Sequence, residues 1–189
     1  MKIPGRFSGY LEVSASKVKP DVALLPTDIA MVLRYWEKRR GDAFAPAWRD
    51  FDMSGFPAWV ISLAVVVDIL REPLDFVYRY WGPERTRLHG RDYTGASIFD
   101  VEPHEINDKV AAEYHALIEE RAPLLFISRS QVDPDQADGK ENAAPIRFKT
   151  FRLPLSDDGE NVTHAFAIEF DREGDDNRLG FYRHQKNGD

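Results

Sequence analysis

The sequence predicts an α+β domain, a five-stranded antiparallel sheet with helices packed on one face plus an N-terminal helix. Three observations carry that expectation. Ile29, Val32, Leu33 and Trp36 recur at helical spacing and draw one apolar stripe. Val162, His164, Phe166, Ile168 and Phe170 alternate with Thr163, Ala165, Ala167 and Glu169 at the two-residue period of a strand. Between two early strands and three late ones lies a helical middle, so helices and strands are segregated rather than interleaved.

Residues 1–26 read as an irregular arm with one short strand around Tyr10-Leu11-Glu12-Val13. The N-terminal helix spans 28–40, started by Thr27 or Asp28 as a cap. Gly41 permits the left-handed turn that ends it, and Lys38-Arg39-Arg40 complement its dipole. After a loop through Pro46 and Pro57, the β-branched run Trp59 to Val67 is expected as one central strand covered on both faces. Arg71-Glu72-Pro73 breaks the chain. Phe76, Tyr78 and Tyr80 then alternate with Val77, Arg79 and Trp81 as the second arm of a hairpin.

Short helices and turns fill Gly82 to Val101. A longer helix runs from about Pro103 to Arg121, with Ile106, Val110, Tyr114, Leu117 and Ile118 on its inner side. Leu124 to Ile127 is a strand, and Gln131 to Ala144 a polar, flexible insertion. Strands at Ile146–Leu155 and Asn161–Phe170, turning near Asp157-Asp158-Gly159, close a domain of residues 27–170. Residues 171–189 form a tail.

Composition excludes several function classes. A net charge of −7 repels phosphate backbones and argues against nucleic-acid partners. The absence of cysteine removes disulfides, thiolate metal sites and cysteine nucleophiles together. The first 26 residues hold no apolar signal core, and the Trp59–Val67 run is far short of the ~20 residues that cross a bilayer. A cytoplasmic protein without a membrane partner is expected. No phosphate loop, no His-Glu-x-x-His zinc site, no serine-hydrolase elbow and no paired acid and base is present. No metal is predicted, and no enzyme.

Gly90-Arg91-Asp92-Tyr93-Thr94-Gly95 is the most distinctive short motif. One reading sets Arg91 or Asp92 against a ligand carboxylate or at a signalling surface. The favoured reading gives Gly90 and Gly95 to turns with positive φ and makes Arg91 and Asp92 a pinning pair or cap, Thr94 belonging to the same turn. His104 and His115 project away from the inner stripe of the long helix, and His164 reads as a partly exposed edge residue.

The order of elements resembles a family of small stand-alone bacterial PAS-like sensory proteins. The resemblance lies in Tyr35-Trp36 through Gly41, Pro46 through Asp52, Trp59 to Val67, Asp75 to Gly82, the Gly90–Gly95 motif, and the turn from Leu153 to Gly159. It implies a helical middle packed across a five-stranded sheet, and a sensory or regulatory role in signal transduction. A small ligand would sit between the long helix and the sheet, with Tyr78, Tyr80, Tyr114, Leu117 and Phe126 as candidate walls. Output would run through protein contacts, with a signalling protein or a second copy of the chain.

The resemblance predicts no cofactor: covalent light-sensing chemistry needs a cysteine, and no inward histidine offers itself to haem. An unknown small ligand is left open. A homodimer would use Ile29, Leu33, Trp36, Phe166 and Ile168, unless the N-terminal helix covers that stripe within one chain. Two rival readings stand beside this one. A ligand-free interaction or dimerisation module would have a full interior. A small isomerase- or hydratase-like enzyme would need a buried carboxylate or histidine facing the cavity.

Overall fold

The computed structural model describes residues 6–7, 10–101, 104–132 and 146–170, with side chains for 15–101, 104, 106–129 and 149–170. The expected insertion beyond Val132 and the tail from 171 fall outside the described residues. Seven strands form one antiparallel sheet: β1 (Arg6–Phe7), β2 (Tyr10–Val18), β3 (Ala64–Arg71), β4 (Leu74–Trp81), β5 (Leu124–Val132), β6 (Ile146–Leu155) and β7 (His164–Phe170). Their order across the sheet is β1-β2-β5-β6-β7-β3-β4. Five of them, β3 to β7, make the antiparallel α+β core expected of a PAS-like domain.

The short strand expected around Tyr10–Val13 in the N-terminal arm is longer and runs on to Val18. β2 pairs with β5 from Tyr10↔Val132 to Val18↔Leu125 and widens the sheet beyond five strands. Leu11, Val13 and Ala15 alternate with Glu12, Ser14 and Ser16 at the strand period, but the second half holds no large apolar residue before Val18, and β5 offers it an edge to pair with.

Helices cover both faces, the helical middle one and the N-terminal helix the other. Helix α1 (Thr27–Arg40) joins Phe151, Leu153, Leu155, Phe166, Ile168 and Phe170 in one core. Helix α4 (Asn107–Glu120) contributes to a second core with Val65, Val67, Phe76, Tyr78, Ala165 and Ala167. The alternation of β6 and β7 divides their side chains between these layers. Trp36 bolts α1 to the sheet by donating its indole N–H to the Pro154 carbonyl at 2.7 Å. α1 ends as expected at Gly41, φ 54°, with three basic residues in its last turn. No side chain caps its start; Asp28 instead accepts from the Trp59 indole at 2.6 Å.

The run Trp59–Val67 is two elements. Pro57 starts a short helix, α2 (Ala58–Leu63), and β3 begins only at Ala64. A short apolar run serves a buried strand or a buried helix equally well, and the preset φ of Pro57 tips its first half to helix. The second half is central and buried on both faces, as expected.

A bulge in the β3–β4 hairpin alters the other expected alternation. Val66 pairs with Tyr80 while Val67 pairs with Tyr78, leaving Arg79 as the extra residue. The bulge sends Tyr80 to the α1 side, where its hydroxyl donates to the Ile61 carbonyl at 3.0 Å, while Phe76 and Tyr78 stay on the α4 side. β7 likewise starts at His164 rather than Asn161. The turn before it is built on Asp158, whose carboxylate accepts the backbone N–H groups of Glu160 and Asn161. Those donors, led by Asn161, hold the Asp158 carboxyl well below the usual range.

Helix α3 (Pro83–His89) leaves β4 through Gly82, whose N–H donates to the Ala64 carbonyl at 3.0 Å. A Cβ on Gly82 would lie 2.2 Å from the Ser62 carbonyl oxygen, which is backbone and cannot swing aside. Gly82→Ala should therefore lose at least the ~1–3 kcal/mol of ordinary overpacking. Gly55→Ala, with open space around the new methyl, should stay within about 0.5 kcal/mol of wild type. Chemical denaturation of both variants checks this; equal midpoints would refute the close approach.

Candidate functional site

The space between α4 and the sheet is where the sequence sets a ligand. Tyr78 and Tyr114 do line it, together with Val65, Arg85, Val110, Thr150, Arg152 and Glu169. Leu117 and Phe126 belong to the same core but pack away from the opening. Tyr80 is on the opposite side of the sheet, for the reason given above. The open volume is only about 30 Å³. That is room for about one water molecule.

Side chains fill the rest. Arg152 projects from the middle of β6 toward α4, where it is 4% exposed and needs a counter-charge. Glu113 supplies it: Nε and Nη2 of Arg152 donate to Oε2 at 3.0 and 2.6 Å. Lys109 stands 3.8 Å from the other carboxylate oxygen and donates to the Ser128 hydroxyl. The Arg152 guanidinium also lies 4.1 Å from the Tyr114 ring centroid. Tyr114 stacks on Phe76 with centroids 5.2 Å apart.

Burial pushes the phenols of Tyr78 and Tyr114 up, so both stay protonated at neutral pH. Burial opposes the charge on Arg152, but Tyr114 and Glu113 more than offset it, and its pKa stands above the usual arginine value. Beside this pair, Arg85 reaches Glu169 at 3.3 Å and lies 4.9 Å from the Trp81 ring.

Glu113 overturns one expectation. The inner stripe expected of the long helix, Ile106, Val110, Tyr114, Leu117 and Ile118, holds no carboxylate, yet Glu113 is 7% exposed. The signal was present: Glu113 follows Val110 by three residues and precedes Leu117 by four, which is one face of a helix. With both oxygens facing cations, the carboxylate serves as a partner for Arg152 and is badly placed to accept a substrate proton. His104 and His115 are exposed, as their phase implied.

The Gly90–Gly95 motif has a structural part to play. Gly90 ends α3 with φ 76°, and Gly95 turns with φ 84°. Asp92 accepts from the Thr94 N–H and hydroxyl at 2.8 and 2.7 Å; these contacts, the backbone one first, lower its pKa. Arg91 does not pair with Asp92 but lies 5.3 Å from the Tyr93 ring, and Tyr93 packs on Trp81. The segment then runs beside the free edge of β4. Gly95 N–H donates to the Tyr78 carbonyl at 2.7 Å, and Tyr78 N–H to the Ala96 carbonyl at 3.0 Å. The motif therefore guards an edge that would otherwise pair with another strand.

The stripe proposed for a dimer is interior. Ile29, Leu33, Trp36, Phe166 and Ile168 are all buried within the single chain, because α1 covers the sheet face itself. As core side chains they are not surface groups for a second copy.

His164 is also a correction. β7 is a central strand, and His164 is 8% exposed against the Trp48 ring. Its Nε2 is 3.3 Å from Asp68, its Nδ1 3.6 Å from Asp157, and Arg79 binds the same Asp68 oxygen at 2.5 Å. Burial depresses the His164 pKa, and the two carboxylates only partly oppose it.

No family model and no curated protein matches this chain. Among the solved structures similar to it are two that are both 16% identical with a TM-score of 0.39. One is a light-oxygen-voltage domain described with a flavin analogue; the alignment covers 67% of this chain and 87% of that one. The other is an RNA-binding light-oxygen-voltage receptor, where 92% of this chain covers 42% of the other's length. The fold therefore rests on the strand order and pairing above. No helix among the described residues is long and apolar enough to cross a membrane.

Two outcomes follow from the site. Glu113→Leu or Arg152→Met alone strands a buried charge and should cost about 3–5 kcal/mol. The double variant should recover most of that loss. A double-mutant cycle by urea unfolding reads the difference, and simple additivity would refute the coupling.

The second outcome concerns pH. An unfolded histidine takes a proton near its ordinary pKa of 6.5, whereas folded His164 resists until lower pH. Its contribution is complete above that value and is lost as pH falls below it. His164→Gln should therefore flatten the fall in melting temperature between about pH 7.5 and about pH 5.5. An unchanged slope would contradict the depressed pKa.

Proposed function

We propose that this protein is a PAS-like regulatory module that acts through protein contacts, with the space between α4 and the sheet filled by its own side chains. One observation carries the reading: beside Tyr114, where a sensory ligand would lie, about 30 Å³ is open. An aromatic cofactor such as a flavin needs roughly ten times that room, within the 300–1,000 Å³ of ordinary ligand sites. The Glu113–Arg152 pair ties α4 to β6, so it couples helix position to the sheet. A partner that grips one arrangement of that helix would shift the population toward it.

A second copy of the chain is the first partner to test, in contact through surfaces other than the α1 stripe. Apolar side chains are exposed at Leu70 and Leu74 near the tip of the β3–β4 hairpin, and at Phe99 beyond the motif. These are candidates for such a contact.

The test is a pair of measurements on the purified protein. Native mass spectrometry with an absorption spectrum should show colourless dimers of the bare chain. In addition, Leu117→Trp should melt lower, by the ~1–3 kcal/mol of an overpacked core. A stoichiometric flavin or Soret spectrum, or a Leu117→Trp variant as stable as wild type, would restore the cavity-binding reading. Monomers at high concentration would remove self-association and leave only a different signalling protein.

A further inference from the structure

A larger concavity lies elsewhere, where the C-terminal half of α1 meets the loop joining α4 to β5. It encloses about 390 Å³, within the range of small-molecule sites. Its apolar wall is the half-buried Phe44, backed by the edges of the core side chains Leu33 and Trp36. Its rim is basic. Lys19, Arg40 and Arg121 face a single acid, Glu37, on a chain whose net charge is −7. The local sign is therefore the reverse of the whole.

Two of the cations are held in place beside that wall. Arg40 donates from Nη1 to the carbonyls of Gly41 and Ala43 at 3.2 and 2.9 Å and lies 5.7 Å from the Trp36 ring. The Arg121 guanidinium lies 4.0 Å from the Phe44 ring centroid. Arg121 is also the one non-glycine residue with positive φ, 50°, among the described residues. It ends α4 where glycine is the unstrained choice. An arginine in that strained position trades backbone ease for a guanidinium at the mouth of the cleft.

We propose that this cleft binds a small amphipathic carboxylate. The aromatic or aliphatic body rests on Phe44 and the small exposed edges of Leu33 and Trp36, and the carboxylate is taken by Arg121 with Lys19 and Arg40 around it. A guanidinium matches a carboxylate in shape as well as charge, which makes Arg121 the specificity-determining residue. A concave site of this size fits a compact ligand, whereas a protein partner needs a broader face. The site is separate from the filled space beside Tyr114, so it stands or falls independently of the regulatory reading.

The test titrates full-length protein with 1-naphthoate and with 1-naphthamide, its uncharged counterpart, by calorimetry and tryptophan fluorescence. Naphthoate should bind saturably, at least about tenfold tighter than naphthamide, because a charged hydrogen-bond pair is worth that much. Arg121→Gly should melt at or above the wild-type temperature, since glycine relieves the backbone. The same variant should bind naphthoate about tenfold more weakly, with naphthamide unchanged. Arg121→Gln, which keeps the backbone problem and removes only the charge, should show the same loss. No saturable naphthoate binding, equal affinity for the two probes, or a charge preference that survives both substitutions would overturn the proposal. An acidic peptide that binds about tenfold tighter than naphthoate would also overturn it, by assigning the cleft to a protein partner.

Discussion

Strands β6, β7 and β3 occupy the middle of the sheet, and each is covered on both faces. That constraint governs most of the molecule. A strand buried on both sides can carry apolar residues throughout, as Ala64 to Val67 does, or it must find a partner for any charge it brings in. Arg152 is such a charge. Its place on β6 requires Glu113, and Glu113 requires α4 to lie at one height and one rotation over the sheet. With Tyr114 stacked on Phe76 and capped by the guanidinium, little space is left to any other molecule.

The same constraint explains the layer on the opposite face. Phe151, Leu153, Leu155, Phe166 and Ile168 point away from α4 and would expose a broad apolar surface. α1 covers them, and its placement is fixed by a bond no packing pattern specifies, from the Trp36 indole to the Pro154 carbonyl. Pro154 has no N–H to offer, yet its carbonyl remains an acceptor near the end of a buried strand. α2 is tied to α1 in turn by the Trp59 indole and the Asp28 carboxylate.

Edges receive separate treatment. β4 would be open along one side, and the Gly95–Ser97 segment closes it with two backbone hydrogen bonds to Tyr78 and a bridge from Val77 to Ser97. Ser97 then donates to Asp75 at 2.7 Å, which fixes the segment at its far end. A short motif that invites a reading as a ligand loop is thus an edge guard, and the basic cleft with real volume lies at the other side of the sheet. The cleft proposed for a ligand therefore lies apart from the filled space between α4 and the sheet.

The sequence by itself determined the class of the fold and most of its elements. The stripe of α1, the period of β7, the strands β5 and β6, the helical middle and the turn at Asp158 are local patterns, and local patterns are legible in a chain. Four features were decided only by tertiary structure. β2 runs past Val13 to Val18 because β5 has an edge to fill. Trp59 to Leu63 is helix because Pro57 starts it and Gly82 must pass within contact of Ser62. Tyr80 leaves the face of Tyr78 because one residue, Arg79, is looped out of register. The ligand space closes because Glu113 and Arg152, 39 positions apart, meet inside it. Each of these depends on where distant backbone lies, and a one-residue shift or a single pairing reverses it, so no periodicity along the chain encodes it.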